Sequence, residues 1–139
     1  FFTAASVRDI LRRFFDEYDD HRLLPDKIAV QLNDTHPAIA GPEMVRLLTD
    51  FRGVPMSEAI ETVHGCLAFT NHTLLPEALE RWPLDLFGRV LPRHLQIIES
   101  KGRARGAILQ DGIKRQRPAS HCPTLFGNQR GSAEQRWPL

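Results

Sequence analysis

Two short polar stretches of the chain carry side chains that could bind a ligand rich in hydroxyl groups. The first stretch, LNDTHP, contains Asp34 and His36, and the second, TNHT, contains Asn71 and His72. Carboxylate and amide oxygens accept hydrogen bonds, amide nitrogens donate them, and an imidazole can do either. Since a polyol offers many hydroxyl groups that both donate and accept, these residue types favour a pocket for a sugar-like ligand.

The same residues also allow a purely structural interpretation. A single Asp or Asn directly after a strand usually forms a turn or caps a helix. Both clusters, however, follow a short apolar run, and two further carboxylates, Glu77 and Glu80, come after the second cluster. This repeated placement keeps the binding-site hypothesis open beside the structural one.

The two apolar runs predict β-strands over residues 27–33 and 66–70. Helical patterns separate them, and the order strand, helices, strand is typical of an α/β crossover unit with parallel strands. In open α/β sheets, ligands bind beyond the carboxyl ends of the strands. If the two strands are neighbours, the two polar stretches therefore face one crevice.

Apolar residues at helical spacing predict the helices that position these strands. A first helix covers residues 5–17, with Thr3 or Ser6 as its cap. Pro42 suits the first position of the next helix, and Gly53 suits its end. The inward-facing residues of the two helices between the strands are predicted to be Met44, Leu47, Leu48, Phe51, Ile60 and Val63.

Three further residues are predicted to start helices. Ser57 would cap the second helix between the strands, whereas Pro83 and Pro92 would each begin a helix near the end of the ordered pattern. His94, on the last of these helices, is interpreted as a solvated or core-edge residue rather than a catalytic one.

Composition places the chain among soluble globular proteins of one domain at most. It has 139 residues, of which 42% are hydrophobic and 25% charged. No stretch reaches the roughly 18 consecutive apolar residues that a membrane span needs. Cys66 and Cys122 form neither a disulfide framework nor a metal pattern, and the histidines lack zinc-type spacing. We therefore expect a cytoplasmic protein without a metal site.

Beyond residue 98 the pattern changes. Residues 1–99 carry ten Lys/Arg and fifteen Asp/Glu, whereas residues 100–139 carry eight and two, so the charge changes from −5 to +6. We predict a basic, disordered tail over 99–139, of the kind that a shifted reading frame would produce. Binding of nucleic acid by this tail is not favoured, because interleaved aromatic residues are lacking.

Longer strings resemble the α-1,4-glucan phosphorylases, which act on glycogen, starch or maltodextrin. These strings are LPDKIAVQLNDTHPAIAGPEMVRLL and AFTNHTLLPEALERWPLDLFGRVLPRHLQII, and the upstream FFTAASVRDILRRF is also similar to the family. The resemblance covers residues 1 to about 98. It implies an interior part of the N-terminal domain of a two-domain glycosyltransferase, containing part of a Rossmann-like parallel sheet flanked by helices.

The resemblance also implies a reaction and its participants. Members of the family use pyridoxal phosphate, whose 5′-phosphate assists inorganic phosphate in releasing glucose 1-phosphate from an α-1,4-glucan. They are commonly homodimeric, and their active cleft needs a C-terminal domain that this chain does not contain.

Site residues follow from the same resemblance, position by position. The TNH motif assigns the main-chain carbonyl of His72, next to Asn71, to the glucosyl subsite. The NDTH motif assigns Asp34 and His36 to the pocket beside it. The LPEALE motif adds a lining of Glu77, Ala78 and Glu80.

The family's cofactor-bearing lysine motif and its phosphate-holding residues have no counterpart in this sequence. We therefore predict a phosphorylase fragment that contributes a sugar-binding wall, contains no catalytic residue and is inactive alone. The alternative is a non-catalytic carbohydrate-binding or interaction module.

Overall fold

A computed structural model of the chain describes residues 1–72 and 82–100, together with the backbone of residues 134–135. The fold is mainly helical with one small sheet of strand order β1-β2-β3. In chain order its elements are α1 (Phe2–Glu17), a 3-10 turn (His21–Leu23), α2 (Leu24–Lys27), β1 (Val30–Asn33), α3 (Ala40–Arg52), α4 (Met56–Cys66), β2 (Leu67–Thr70), α5 (Leu84–Val90), α6 (92–100) and β3 (Glu134–Gln135).

The predicted crossover unit is confirmed. Strands β1 and β2 are parallel neighbours, paired from Val30 opposite Leu67 to Asn33 opposite Thr70. Helices α3 and α4 connect them and pack against each other. This arrangement is compatible with the predicted α/β class.

Both strands are shorter than the sequence predicted, because the first residue of each predicted range belongs to a helix. Lys27 ends α2, whose first turn contains Pro25, so strand β1 begins only at Val30. Cys66 ends α4, where its thiol donates a hydrogen bond to the carbonyl of Thr62 one turn earlier. A local pattern of apolar residues cannot distinguish a buried last helical turn from the start of a strand.

Helix α1 confirms the predicted amphipathic helix, with Val7, Leu11 and Phe14 buried along one face. Its start was predicted wrongly. The helix begins at Phe2 and has no side-chain cap, so Thr3 and Ser6 lie inside it.

Helix α3 ends as predicted at Gly53, whose left-handed backbone has a φ of 69°. The helix begins at Ala40, so Pro42 is its third residue rather than its first. Met44, Leu47 and Leu48 are buried as expected. Phe51 is not: 64% of it is exposed, and the guanidinium of Arg46 lies 5.4 Å from its ring centre.

Helix α4 starts at Met56 after Pro55, which makes Ser57 a helical residue and not the predicted cap. Val63 is fully buried and Ile60 packs partly buried against the core. Helix α4 also approaches α2 closely, since a Cβ added to Gly65 would lie 2.9 Å from the ring of Pro25.

The last two helices, unlike α1, α3 and α4, start where predicted. Pro83 precedes α5, and α6 begins at residue 92. Within the described ranges, no helix is both long and apolar enough to cross a membrane.

One element of the tail differs from the prediction. Residues 134–135 form strand β3, which pairs antiparallel with β2, although no strand was predicted beyond residue 98. The remaining residues of the tail, 101–133 and 136–139, and residues 73–81 lie outside the described residues. The boundary at residue 98 and the shifted reading frame therefore stay predictions.

Candidate functional site

The two polar stretches lie side by side at the carboxyl ends of β1 and β2. The backbone N–H of Asp34 donates to the carbonyl oxygen of Thr70 over 2.8 Å, which extends the strand pairing by one residue. In return, the backbone N–H of His72 donates to Oδ1 of Asp34 over 3.0 Å. The prediction that both stretches face one place is therefore confirmed.

Asp34 accepts this hydrogen bond while its backbone is in an uncommon conformation. Its φ is 59°, and no other non-glycine residue in the described ranges has a positive φ. Asp and Asn adopt this left-handed conformation more readily than other non-glycine residues. Asp34 is therefore a turn former, as the structural interpretation proposed. Its Oδ1 also accepts the hydrogen bond from the backbone N–H of His72, which joins the two turns.

Side chains of the two strands add a second set of contacts. Nε2 of His72 lies 3.2 Å from Oδ1 of Asn33, and the amide of Gln31 donates to the hydroxyl of Thr70 over 2.8 Å. An amide oxygen can only accept, so this contact is a hydrogen bond in the tautomer of His72 that has its proton on Nε2. His72 is exposed just beyond the carboxyl end of β2.

Asn33 was not among the predicted site residues. The signal that could have identified it is its position as the last residue of β1, directly before Asp34. The last residue of a strand lies at the same edge of the sheet as the turn that follows.

His36 lies apart from this network. It is exposed in the turn between β1 and α3, a turn closed by hydrogen bonds from Ala38 to Thr35 and from Ala40 to Pro37. Among the described residues, no contact joins His36 to Asp34 or His72. Asn71 is half-buried between the strand end and His72. The remaining predicted site residues, Glu77, Ala78 and Glu80, lie outside the described residues.

The arrangement can bind hydroxyl groups but carries no evident reactive centre. Over the described ranges, no group of three or more His, Cys, Asp or Glu residues could hold a metal ion. Cys66 is buried, and this burial raises the pKa of its thiol to about 12, so it is not a nucleophile at neutral pH. The polar groups at the strand ends can orient a ligand by hydrogen bonds.

A second polar cluster lies away from the strand ends and was missed by the sequence analysis. Glu43 of α3 is only 4% exposed, and its carboxylate accepts hydrogen bonds from Arg46 and from Nε2 of His94. His94 is thus a core-edge residue, which agrees with its predicted character. The signal for this cluster was a carboxylate beside the buried stripe of α3, since Glu43 precedes Leu47 by one helical turn.

Comparison with known proteins shows the family of the chain. A family model described as carbohydrate phosphorylase matches residues 1–119, which extends 21 residues beyond the predicted boundary at 98. The chain is 48% identical over 106 residues to the liver form of glycogen phosphorylase from Bos taurus, 51% identical to the brain form from Bos taurus, and 50% identical to the brain form from Homo sapiens.

These matches cover 70% of this chain but only 12% to 13% of the length of the relatives. The family model covers most of the chain, including every residue of both strand-end turns. The chain therefore belongs to the carbohydrate phosphorylase family and is similar to one part of the glycogen phosphorylases that it matches.

Proposed function

We propose that this chain forms the sugar-facing wall of an α-1,4-glucan phosphorylase. In this proposal the whole enzyme releases glucose 1-phosphate from the non-reducing end of glycogen, starch or maltodextrin, with inorganic phosphate as the second substrate. The enzyme would be cytoplasmic and homodimeric, with the described sheet as part of a Rossmann-like N-terminal domain.

One observation carries the proposal at the level of geometry. The hydrogen bond from the backbone N–H of His72 to Asp34 brings the NDTH and TNH motifs together at one edge of a parallel sheet. That edge is where open α/β sheets bind ligands. The exposed groups there donate and accept hydrogen bonds, as a sugar ring requires.

Each proposed site residue has a separate role. The main-chain carbonyl of His72 accepts a hydrogen bond from the terminal glucosyl unit, and Asn71 stands beside it. Asp34 holds the His72 backbone in place, and His36 lines the neighbouring part of the pocket. The motif that follows contributes Glu77, Ala78 and Glu80 to this lining.

The cofactor of the family does not fit the described residues. Pyridoxal phosphate forms a Schiff base with a lysine. The sequence contains three lysines, of which Lys27 lies in the described ranges. Lys27 is exposed, and its Nζ lies 5.1 Å from the ring centre of Tyr18 rather than in an enclosed pocket. We therefore assign no step of the reaction to this chain's described residues.

A binding experiment tests the proposal. The isotope-labelled 139-residue chain is titrated with maltoheptaose, and backbone amide shifts are followed by NMR. We expect shifts in the turns after Asn33 and Thr70, and none in α1. A β-linked cello-oligosaccharide serves as the ligand control. Equal responses to both sugars, or no response at the two turns, would refute the proposed site.

Two variants separate a main-chain role from a side-chain role. Asp34→Ala removes the group that fixes the His72 backbone, so it should weaken maltoheptaose binding more than His72→Ala does. His21→Ala is a matched control, because His21 contacts Glu58 away from the strand ends. If His72→Ala is the most harmful change, the proposed role of the main-chain carbonyl is wrong.

Activity is a separate question. The chain alone, supplied with maltodextrin, phosphate and pyridoxal phosphate, should release no glucose 1-phosphate above a protein-free control. Loss of a single central electrostatic group already costs about 10²–10³ in rate, and the resemblance to the family implies that this chain has no counterpart of the cofactor lysine or of the phosphate-binding residues. Detectable product would overturn the proposed fragment character.

A further inference from the structure

Helix α6 contacts the rest of the molecule through charged groups as well as through apolar packing. Within residues 82–100, Ile97 is the one buried apolar residue, and α5 contributes none. Helix α5 lies close to α6, since a Cβ added to Gly88 would lie 2.9 Å from Leu95. With so little buried apolar surface in this segment, the charged contacts between α6 and α3 contribute to its position.

The first of these contacts is a buried carboxylate with three donors. Nε and Nη2 of Arg46 lie 2.8 Å from the two oxygens of Glu43, and Nε2 of His94 lies 2.7 Å from Oε2. The His94 side chain is 11% exposed and that of Glu43 is 5% exposed. Burying a carboxylate to this extent costs free energy unless all its hydrogen-bond partners are in place. The cluster therefore favours one position of α6 on α3.

The second contact repeats the arrangement two helical turns away. Arg93, the neighbour of His94, binds the carboxylate of Asp50 through Nε and Nη2. Glu43 and Asp50 are seven residues apart, so they lie on the same face of α3. Two adjacent residues of α6 thus bind two carboxylates along one stripe of α3.

We propose that Glu43, Arg46 and His94 form a clamp that fixes α6 on α3. Helix α3 directly follows the turn after β1, so the clamp also bears on that turn. The purpose of the clamp in sugar binding rests on the proposed function, whereas the clamp itself does not.

The charges around Glu43 make this attachment sensitive to acid. Arg46 on α3 and His94 on α6 act directly on Glu43, whereas Asp50 and Arg93 interact with Arg46. Burial raises the pKa of Glu43, but the hydrogen bonds from Arg46 and His94 outweigh burial and leave its pKa below the ordinary value of 4.5. The clamp is therefore present above that pH and is lost as the pH falls through the lowered pKa of the folded chain.

Hydrogen exchange of the full chain, read by mass spectrometry without any sugar, tests the clamp. In Glu43→Gln and His94→Leu we expect protection of α6 amides to fall about 10- to 100-fold, from the usual strength of hydrogen bonds to charged groups, while α1 stays protected. His94→Gln should restore protection, since its amide can donate from nearly the same place. Asp85→Asn, which breaks an exposed pair with Arg89, is the matched control.

The dependence of α6 protection on pH distinguishes the clamp from simple packing, because packing alone would not change with the charge of Glu43. Between neutral pH and pH below 4.5, α6 protection relative to α1 should fall in the wild-type chain and stay flat in Glu43→Gln. Equal losses in α1 and α6, unchanged α6 protection, or failure of His94→Gln to restore it would each overturn the clamp. If α6 responds as expected but maltoheptaose does not bind, the clamp stands and the proposed function fails.

Discussion

The turn at Asp34 offers the sharpest test of how this chain assembles its strand ends. Two effects meet at this residue: a left-handed backbone with a φ of 59°, and a carboxylate that accepts the His72 N–H over 3.0 Å. Three substitutions separate these effects. Asp34→Asn keeps an oxygen acceptor and tolerates the backbone, Asp34→Gly keeps only the backbone freedom, and Asp34→Ala keeps neither.

The expected magnitudes follow from these two effects. Loss of the hydrogen bond costs about 0.5–1.5 kcal/mol for a half-exposed group. A left-handed backbone costs an alanine roughly 1–2 kcal/mol that a glycine does not incur. We therefore expect Asp34→Asn to lower the free energy of unfolding by less than about 1 kcal/mol, Asp34→Gly by about 1 kcal/mol, and Asp34→Ala by about 2–3 kcal/mol.

Urea denaturation followed by circular dichroism measures this order, and hydrogen exchange of the His72 amide reports the bond itself. Protection of that amide should persist in Asp34→Asn and disappear in both Asp34→Gly and Asp34→Ala. Two results would refute the reasoning: an alanine variant no less stable than the glycine variant, or a His72 amide that stays protected without the carboxylate.

Four further outcomes depend on burial and backbone conformation. Leu48→Ala, at a fully buried position, should lower the free energy of unfolding by about 2–5 kcal/mol, and Phe51→Ala, with 64% of Phe51 exposed, by less than about 1 kcal/mol; similar losses in urea denaturation would contradict the assignment. Gly53→Ala should cost about 1 kcal/mol through its left-handed backbone alone, because no atom lies within 4 Å of the added Cβ, and a stabilising effect in thermal denaturation would be inconsistent with this. Cys66 should resist a thiol reagent until the chain unfolds, since burial raises its pKa to about 12, and labelling of the folded chain, located by peptide mapping, would disprove this. The pKa of Glu43 lies below 4.5, so acid denaturation should begin below that pH and be less steep in Glu43→Gln; identical acid curves would argue against it.

The helices were largely predictable because their signals are local. The stripe of Val7, Leu11 and Phe14 lies within one sequence window, and Gly53 ends α3 by its own backbone freedom. The errors occurred where tertiary surroundings decide. Phe51 fits the apolar stripe of α3 by spacing, but it lies in the last turn, where Arg46 covers its ring instead of the core.

The same distinction applies to the candidate site. Residue types and strand ends predicted that Asp34 and His72 lie together, because parallel neighbours bring equivalent ends to one edge. The direction of the hydrogen bond between them was not predictable, since it depends on the left-handed conformation of Asp34. The sequence window around Glu43 gave no sign of His94, because the two residues are 51 positions apart.

Among the polar contacts of long sequence separation, two involve a carboxylate that is buried or in an uncommon backbone conformation. Asp34 and His72 are 38 residues apart and join the turns at the sheet edge, whereas Glu43 and His94 join the helices that follow those turns. Each contact has one partner in the β1–α3 half and one in the half that begins with β2. A buried or strained carboxylate tolerates few alternative arrangements, which an apolar contact would allow. Asp34 and Glu43 thus add to the strand pairing and core packing that join these two halves, and we expect a change at either residue to loosen their packing before the helices unfold.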